Sequence, residues 1–165
     1  HCCEDHFTQR VAGFADYWQT QEPAFGLNGT GYCSYNYVAE AARVLAAHPI
    51  SSPLFLYLAF HNNHGPLQVV PFYGERYPVG PGQVQSRATY NGMTTAWDDA
   101  LRNVTAMYKS RKMWNRTLLV MSSDNGGPIY KGGGANNHPL RGGKVSAAHS
   151  TATPVRLRHV VRLLR

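Results

Sequence analysis

Four side chains in this 165-residue sequence have the type and setting for chemistry on an anion: His64, Asp124, Asn125 and Lys144. Asp124 and Asn125 open the run Asp-Asn-Gly-Gly that follows the apolar stretch Thr117–Met121. They offer carboxylate and amide oxygens, the donors a hard cation such as Ca²⁺ or Mg²⁺ takes. Successive strand residues point to opposite faces, so both reach one ion only where the chain turns. Gly126 and Gly127 permit that turn. The same residues also make an ordinary Asx turn without metal, and local evidence leaves both readings open. His64 ends His61-Asn62-Asn63-His64 just before Gly65-Pro66; it either donates to an anionic substrate or caps a loop. Lys144 closes a basic, Gly-rich segment holding Gly132-Gly133-Gly134, Asn136-Asn137 and Arg141-Gly142-Gly143. That segment either brings an ammonium to an anion or is a plain surface loop. It is no phosphate-binding Walker loop, and neither H-E-x-x-H nor the G-x-S-x-G nucleophile elbow occurs. Asp98-Asp99 reads as a solvated helix face.

The elements that position these groups follow from periodicity. Val38, Ala41, Ala42 and Leu45 recur at helical spacing, which predicts a helix over Tyr37–His48 ended by Pro49. The seven-residue apolar run Leu54–Phe60 predicts a strand buried on both faces. Residues 65–87, rich in Gly and Pro, predict a long surface loop. Tyr90, Met93, Trp97, Leu101, Val104 and Met107 form one helical stripe, and Thr117–Met121 gives a second buried strand. Strand, crossover helix and strand make a βαβ unit with parallel strands. Ligands in open α/β sheets bind beyond the strands' carboxyl ends. His61–His64 and Asp124–Gly127 occupy those two ends, so the fold is expected to bring them to one rim. Residues 1–36 read mostly as loop with short elements.

Composition narrows the function classes. The net charge is +7. Setting aside Val145–Arg165, which holds four arginines and no acid, leaves twelve basic against nine acidic residues. No basic stripe is interleaved with aromatics, which argues against nucleic-acid binding. No apolar run reaches membrane-spanning length. Sequons at Asn28, Asn103 and Asn115 mark candidate glycosylation sites and favour the secretory pathway. Cys2, Cys3 and Cys33 contain no C-x-x-C pair, so structural zinc is not expected. Cys33 either pairs with Cys2 or Cys3, or all three are free. The chain has no initiator Met and no signal-like start, and is expected to be an internal piece of a larger protein.

In order, the segments Glu4-Asp5-His6-Phe7, Pro53–Ala59, His64-Gly65-Pro66-Leu67-Gln68, Trp97–Thr105, Trp114-Asn115-Arg116-Thr117, Ser122–Gly127 and Asn136–Lys144 resemble the type I sulfatases, nearest the arylsulfatase B-like kind. The resemblance spans about residues 1–144. It implies an α/β fold, here a partial mixed sheet with flanking helices from an alkaline phosphatase-like catalytic domain. It also implies sulfate ester hydrolysis in the secretory or lysosomal system, or outside the cell. By position, Asp124 and Asn125 resemble two Ca²⁺ ligands. His64 and Lys144 resemble the catalytic pair that contacts the sulfate. Ca²⁺, the lysine and a protonated histidine would stabilise charge on the leaving oxygen. The substrate class is a sulfated small molecule or glycan.

The departures are specific. The family's formylglycine nucleophile arises from Cys or Ser in a C/S-x-P-x-R stretch, and this sequence has none. The paired N-terminal aspartates and the G-K-x-H segment are also missing, so these residues alone are expected to be inactive. His138 stands where a Trp is common, and Gly143 where a basic or polar residue is. From Val145 the resemblance stops; residues 145–165 are expected to be an unrelated basic tail, read as translated intron, with 154–165 as a candidate basic helix. A second reading is a non-catalytic anion- or glycan-binding remnant of a sulfatase; a third and weaker one is a phosphoesterase.

Overall fold

The computed structural model describes residues 18–24, 31–129, 132–139, 142–144 and, for their backbone, 160–161. Cys2, Cys3, Asn28, the Glu4–Phe7 segment and most of the tail after Lys144 lie outside the described residues. A small antiparallel hairpin comes first, β1 (Trp18–Gln19) paired with β2 (Glu22–Pro23). Then follow α1 (Cys33–Ala47), the single turn α2 (Pro71–Gly74), the long α3 (Gln85–Ser110) and a 3₁₀ turn at Trp114–Arg116. Strand β3 (Leu119–Val120) pairs antiparallel with β4 (Val160–Val161), in the register Leu119↔Val161.

Helix α1 buries Cys33, Ser34, Ala41 and Leu45. It starts four residues earlier than the periodicity predicts and stops where Pro49 forces His48 into the extended region, at φ −75° and ψ 129°. Helix α3 runs from Gln85, well before the predicted Tyr90, so Asn91-Gly92 is interior to it. The face it buries is Ala88, Gly92, Met93, Ala96, Ala100 and Val104. Only Met93 and Val104 belong to the predicted stripe; Trp97 and Leu101 are half-buried. Small residues win because the chain is close there: a Cβ on Gly92 would lie 3.2 Å from the Tyr73 carbonyl oxygen. Tyr32, Tyr73 and Ala96 form the core cluster, with Val69 and Val70 packed on it. Residues 65–87 are therefore not a plain loop, since α2 and the first turn of α3 lie within them.

The two apolar runs depart most from expectation. Residues 54–60 are extended but have no ladder partner among the described residues. Their exposure alternates: Leu54, Leu56, Leu58 and Phe60 are half-buried, while Phe55 and Tyr57 are 90% and 80% exposed. Phe60 packs edge-on against Tyr37 of α1, at 6.0 Å between ring centroids. Only that face is covered, because burial on both faces needs helices on both sides of a sheet. The first run is not assigned as a strand, and β3 pairs antiparallel with Val160–Val161, so the expected parallel βαβ pairing does not occur among the described residues; nor is the second run buried, with Leu118 and Val120 61% and 55% exposed. Of residues 154–165 the described pair is a strand, not a helix. No helix among the described residues is long and apolar enough to cross a membrane. The chain thus combines helices with a small sheet, as a partial α/β unit.

Candidate active site

His64 and Lys144, eighty residues apart in sequence, meet: Lys144 Nζ lies 2.9 Å from His64 Nε2. An ammonium has donors only, so Nε2 accepts. The imidazole proton then sits on Nδ1 and donates to the Gly65 carbonyl at 2.7 Å. An anion entering between the two would take Lys144 as its donor and would gain a second donor only once Nε2 carries a proton.

Two asparagines set His64 through four hydrogen bonds. Asn62, two residues earlier, receives a hydrogen bond from Ser34 Oγ on its Oδ1 at 2.7 Å. Its Nδ2 donates to Tyr32 Oη at 3.1 Å and to the Met93 carbonyl at 2.8 Å. Asn63 Nδ2 donates to Thr94 Oγ1 at 2.7 Å. The strand-end loop is thereby fastened to both α1 and α3. His61 points elsewhere and bonds Tyr37 Oη through Nδ1 at 2.9 Å, which makes it a packing residue.

Lys144 is set by the loops around Asp124–Gly127. Its backbone N–H donates to the Gly127 carbonyl at 3.2 Å. Gly127 N–H in turn donates to Asn137 Oδ1 at 2.9 Å. The segment 132–139 rests on the start of α3, where Arg87 Nη1 donates to the Gly134 carbonyl at 2.7 Å. Approach is close: a Cβ on Gly134 would meet Ser86 O at 2.6 Å, and one on Gly143 would meet Gly127 O at 2.7 Å. Gly143, a departure from the resembled pattern, is thus the residue this packing admits.

The Asp124–Asn125 pair sits in the turn that ends at Gly127. Asp124 Oδ1 accepts the N–H of the next residue, Asn125, at 2.8 Å, one residue short of the bond that defines an Asx turn. Asn125 Nδ2 donates to the Gly126 carbonyl at 2.8 Å. Asp124 Oδ2 and Asn125 Oδ1 carry no hydrogen bond among the described residues, so one oxygen of each is open to a hard cation. Two oxygens are a partial set, and no group of three His, Cys, Asp or Glu residues suited to a metal occurs among the described residues.

Asp99 is not the solvated residue the sequence suggests. It accepts the Tyr73 hydroxyl at 3.2 Å and pairs with Arg102 at 2.9 Å. Burial above all, then the nearby Tyr35 and Asp99, push the Tyr73 hydroxyl up to about 12. Cys33 is disulfide-bonded to a partner outside the described residues. Sequence reasoning missed Asn62 and Asn137 as organisers. Each had one available signal, an Asn inside a motif where an apolar or flexible residue would serve equally as loop.

The profile of the Sulfatase family matches residues 2–155. The chain belongs to the sulfatase family. Mouse (Mus musculus) arylsulfatase J is 34% identical over 134 residues, covering 81% of this chain and 22% of that protein. Crystal structures of Ps i-CgsB, alone and in complex with k-i-k-neocarrahexaose, superpose with a TM-score of 0.61 at 33% identity. They cover 68% of this sulfatase chain and 24% of theirs. The chain therefore spans less than a quarter of the length of these relatives.

Proposed function

We propose that the protein carrying this chain is a Ca²⁺-dependent sulfuric ester hydrolase. In this reading His64 and Lys144 bind the sulfate, and Asp124 and Asn125 supply two of the Ca²⁺ ligands. The observation that carries it is the meeting of His64 and Lys144 at 2.9 Å, with Lys144 bonded through its backbone to the turn that holds Asp124 and Asn125. One anion-binding pair and one pair of cation-suited oxygens thus share a single set of loops. Bound Ca²⁺ would supply positive charge toward the sulfate oxygens. Lys144 donates to the same anion, and its charge gains as negative charge grows on the leaving oxygen. His64, with its Nδ1 proton held by Gly65, can deliver a proton only from Nε2. The substrate class is a sulfated small molecule or glycan; the Ps i-CgsB complex with an oligosaccharide is a likeness that supports the glycan side. Exposed Asn103 and Asn115, each within a sequon, and disulfide-bonded Cys33 support a secretory, lysosomal or extracellular protein. Asn28 completes the proposed glycosylation set.

The test is turnover of an aryl sulfate by the full gene product in Ca²⁺, and again after chelation. Lys144→Ala should lower kcat about 10²–10³-fold, the loss typical of one transition-state donor. Undiminished turnover in that variant removes the role of Lys144. A second reading is binding of an anion or glycan without hydrolysis, through the same His64–Lys144 pair. Sulfate binding by the full product with no turnover would select it.

A further inference from the structure

The side chain of Asn137 joins three pieces of backbone. Its Oδ1 accepts the Gly127 N–H at 2.9 Å, and its Nδ2 donates back to the Gly127 carbonyl at 2.8 Å. The second Nδ2 hydrogen goes to the Gly142 carbonyl at 3.0 Å. One amide thus grips both polar groups of Gly127 and the residue two before Lys144. The Gly127 carbonyl also receives the Lys144 N–H, so the clamp closes on itself. The fit leaves no slack: a Cβ on Gly143 would lie 3.0 Å from Asn137 Nδ2, and one on Gly127 would lie 2.5 Å from the Ala135 Cβ.

We infer that Asn137 is a positioning residue for sulfate ester hydrolysis, fixing Lys144 at a set offset from the Asp124–Asn125 turn. The inference rests on the hydrolase reading above. Asn is the residue the geometry asks for. Asp would lose both donors and set a carboxylate against two carbonyl oxygens, and Gln would carry the amide one methylene too far. Displacement of a catalytic group by about 1 Å is enough to cost about 10²-fold in rate.

The experiment is a double-mutant cycle in the full, Ca²⁺-loaded gene product, with aryl sulfate turnover and inorganic sulfate affinity measured together. Asn137→Ala should lower kcat/KM about 10²-fold and weaken sulfate binding. In a Lys144→Ala background the same change should have little further effect on either, because Asn137 acts through Lys144. Equal losses in both backgrounds would mean a merely structural role and overturn the inference, as would unchanged sulfate affinity in Asn137→Ala. Wild-type sulfate binding without turnover would sink the hydrolase reading alone, while the cycle on affinity still decides the clamp. Should Asn137→Ala not fold, wild-type amide exchange decides. Sulfate should protect Gly127 and Lys144 to the same degree, and protection of one without the other overturns the coupling.

Discussion

Replacing Asn62 by Ala tests how the strand-end loop is held. The side chain makes three hydrogen bonds, from Ser34 Oγ, to Tyr32 Oη and to the Met93 carbonyl. Ser34 and Tyr32 are 1% and 2% exposed, so water cannot take over from the lost amide. Each intramolecular hydrogen bond contributes about 1 kcal/mol net, and each buried group left without a partner costs about 1–3 kcal/mol. The Met93 carbonyl lies within α3, where helical bonding already engages it, and Tyr32 Oη has the Gln68 carbonyl at 3.5 Å as a weak alternative. Ser34 Oγ is left with the largest deficit. The total for Asn62→Ala is about 3–4 kcal/mol. Asn63→Ala is the control: it removes one exposed bond, to Thr94 Oγ1, worth below about 1 kcal/mol. Urea unfolding of the full gene product reads the difference as a shift in midpoint at unchanged slope. A gap between the two variants below about 1 kcal/mol would refute the argument that buried polar partners, not loop contacts in general, fix this segment.

Further outcomes follow from the same packing. Met93 is fully buried (0% exposed), so Met93→Ala should cost about 2–5 kcal/mol in the same unfolding measurement. Gly143→Ala places a Cβ 2.7 Å from Gly127 O and should lower aryl sulfate turnover by pushing the Lys144 segment off that carbonyl; unchanged kinetics would show that the loops yield. Tyr73, raised to about 12 mainly by burial, favours its neutral form in the fold. Its stabilisation is complete below the unfolded value of about 10 and is lost as pH rises through the folded one. Asp99→Asn should move that phenolate transition downward in near-ultraviolet absorbance, with Tyr73→Phe identifying the signal.

Much of the site was legible because its residues sit in short runs with distinctive chemistry. His64 and Lys144 were named from a resembled motif, and the fold places them in contact. Helix α1 was legible because Val38, Ala41, Ala42 and Leu45 keep period and Pro49 supplies the stop. Helix α3 was legible in existence but not in face. Periodicity selects large apolar residues, whereas the buried side is set by how near the Tyr73 backbone comes to Gly92. Of the two expected strands only the second is one, over Leu119–Val120, and residues 54–60 join no ladder among the described residues. Pairing depends on what lies beside a strand, and the alternating exposure of residues 54–60 comes from cover on one side alone. The roles of Asn62 and Asn137 were hidden because an amide's partners follow no sequence period: Asn62 bonds Ser34, Tyr32 and Met93, and Asn137 bonds Gly127 and Gly142.

These two asparagines explain how the site is held where sheet bonding is sparse. In an α/β sheet the ladder fixes the strand ends and the loops inherit their positions. Here residues 54–60 have no ladder partner among the described residues, and β3 is two residues long. Side-chain amides take over that function. Asn62 fastens the loop after the first apolar run to α1 and α3, and Asn137 fastens the loop after β3 to the segment carrying Lys144. Helix α3 underlies both, through the Met93 carbonyl at one loop and Arg87 at the other. The distance between His64 and the Asp124–Asn125 turn is therefore governed by a helix of 26 residues and two amides. Neither loop can shift alone without breaking side-chain bonds of its asparagine. A change to either asparagine should thus reach the His64–Lys144 pair before it reaches the fold of α3, because the helix keeps its own backbone bonds whichever loop lets go.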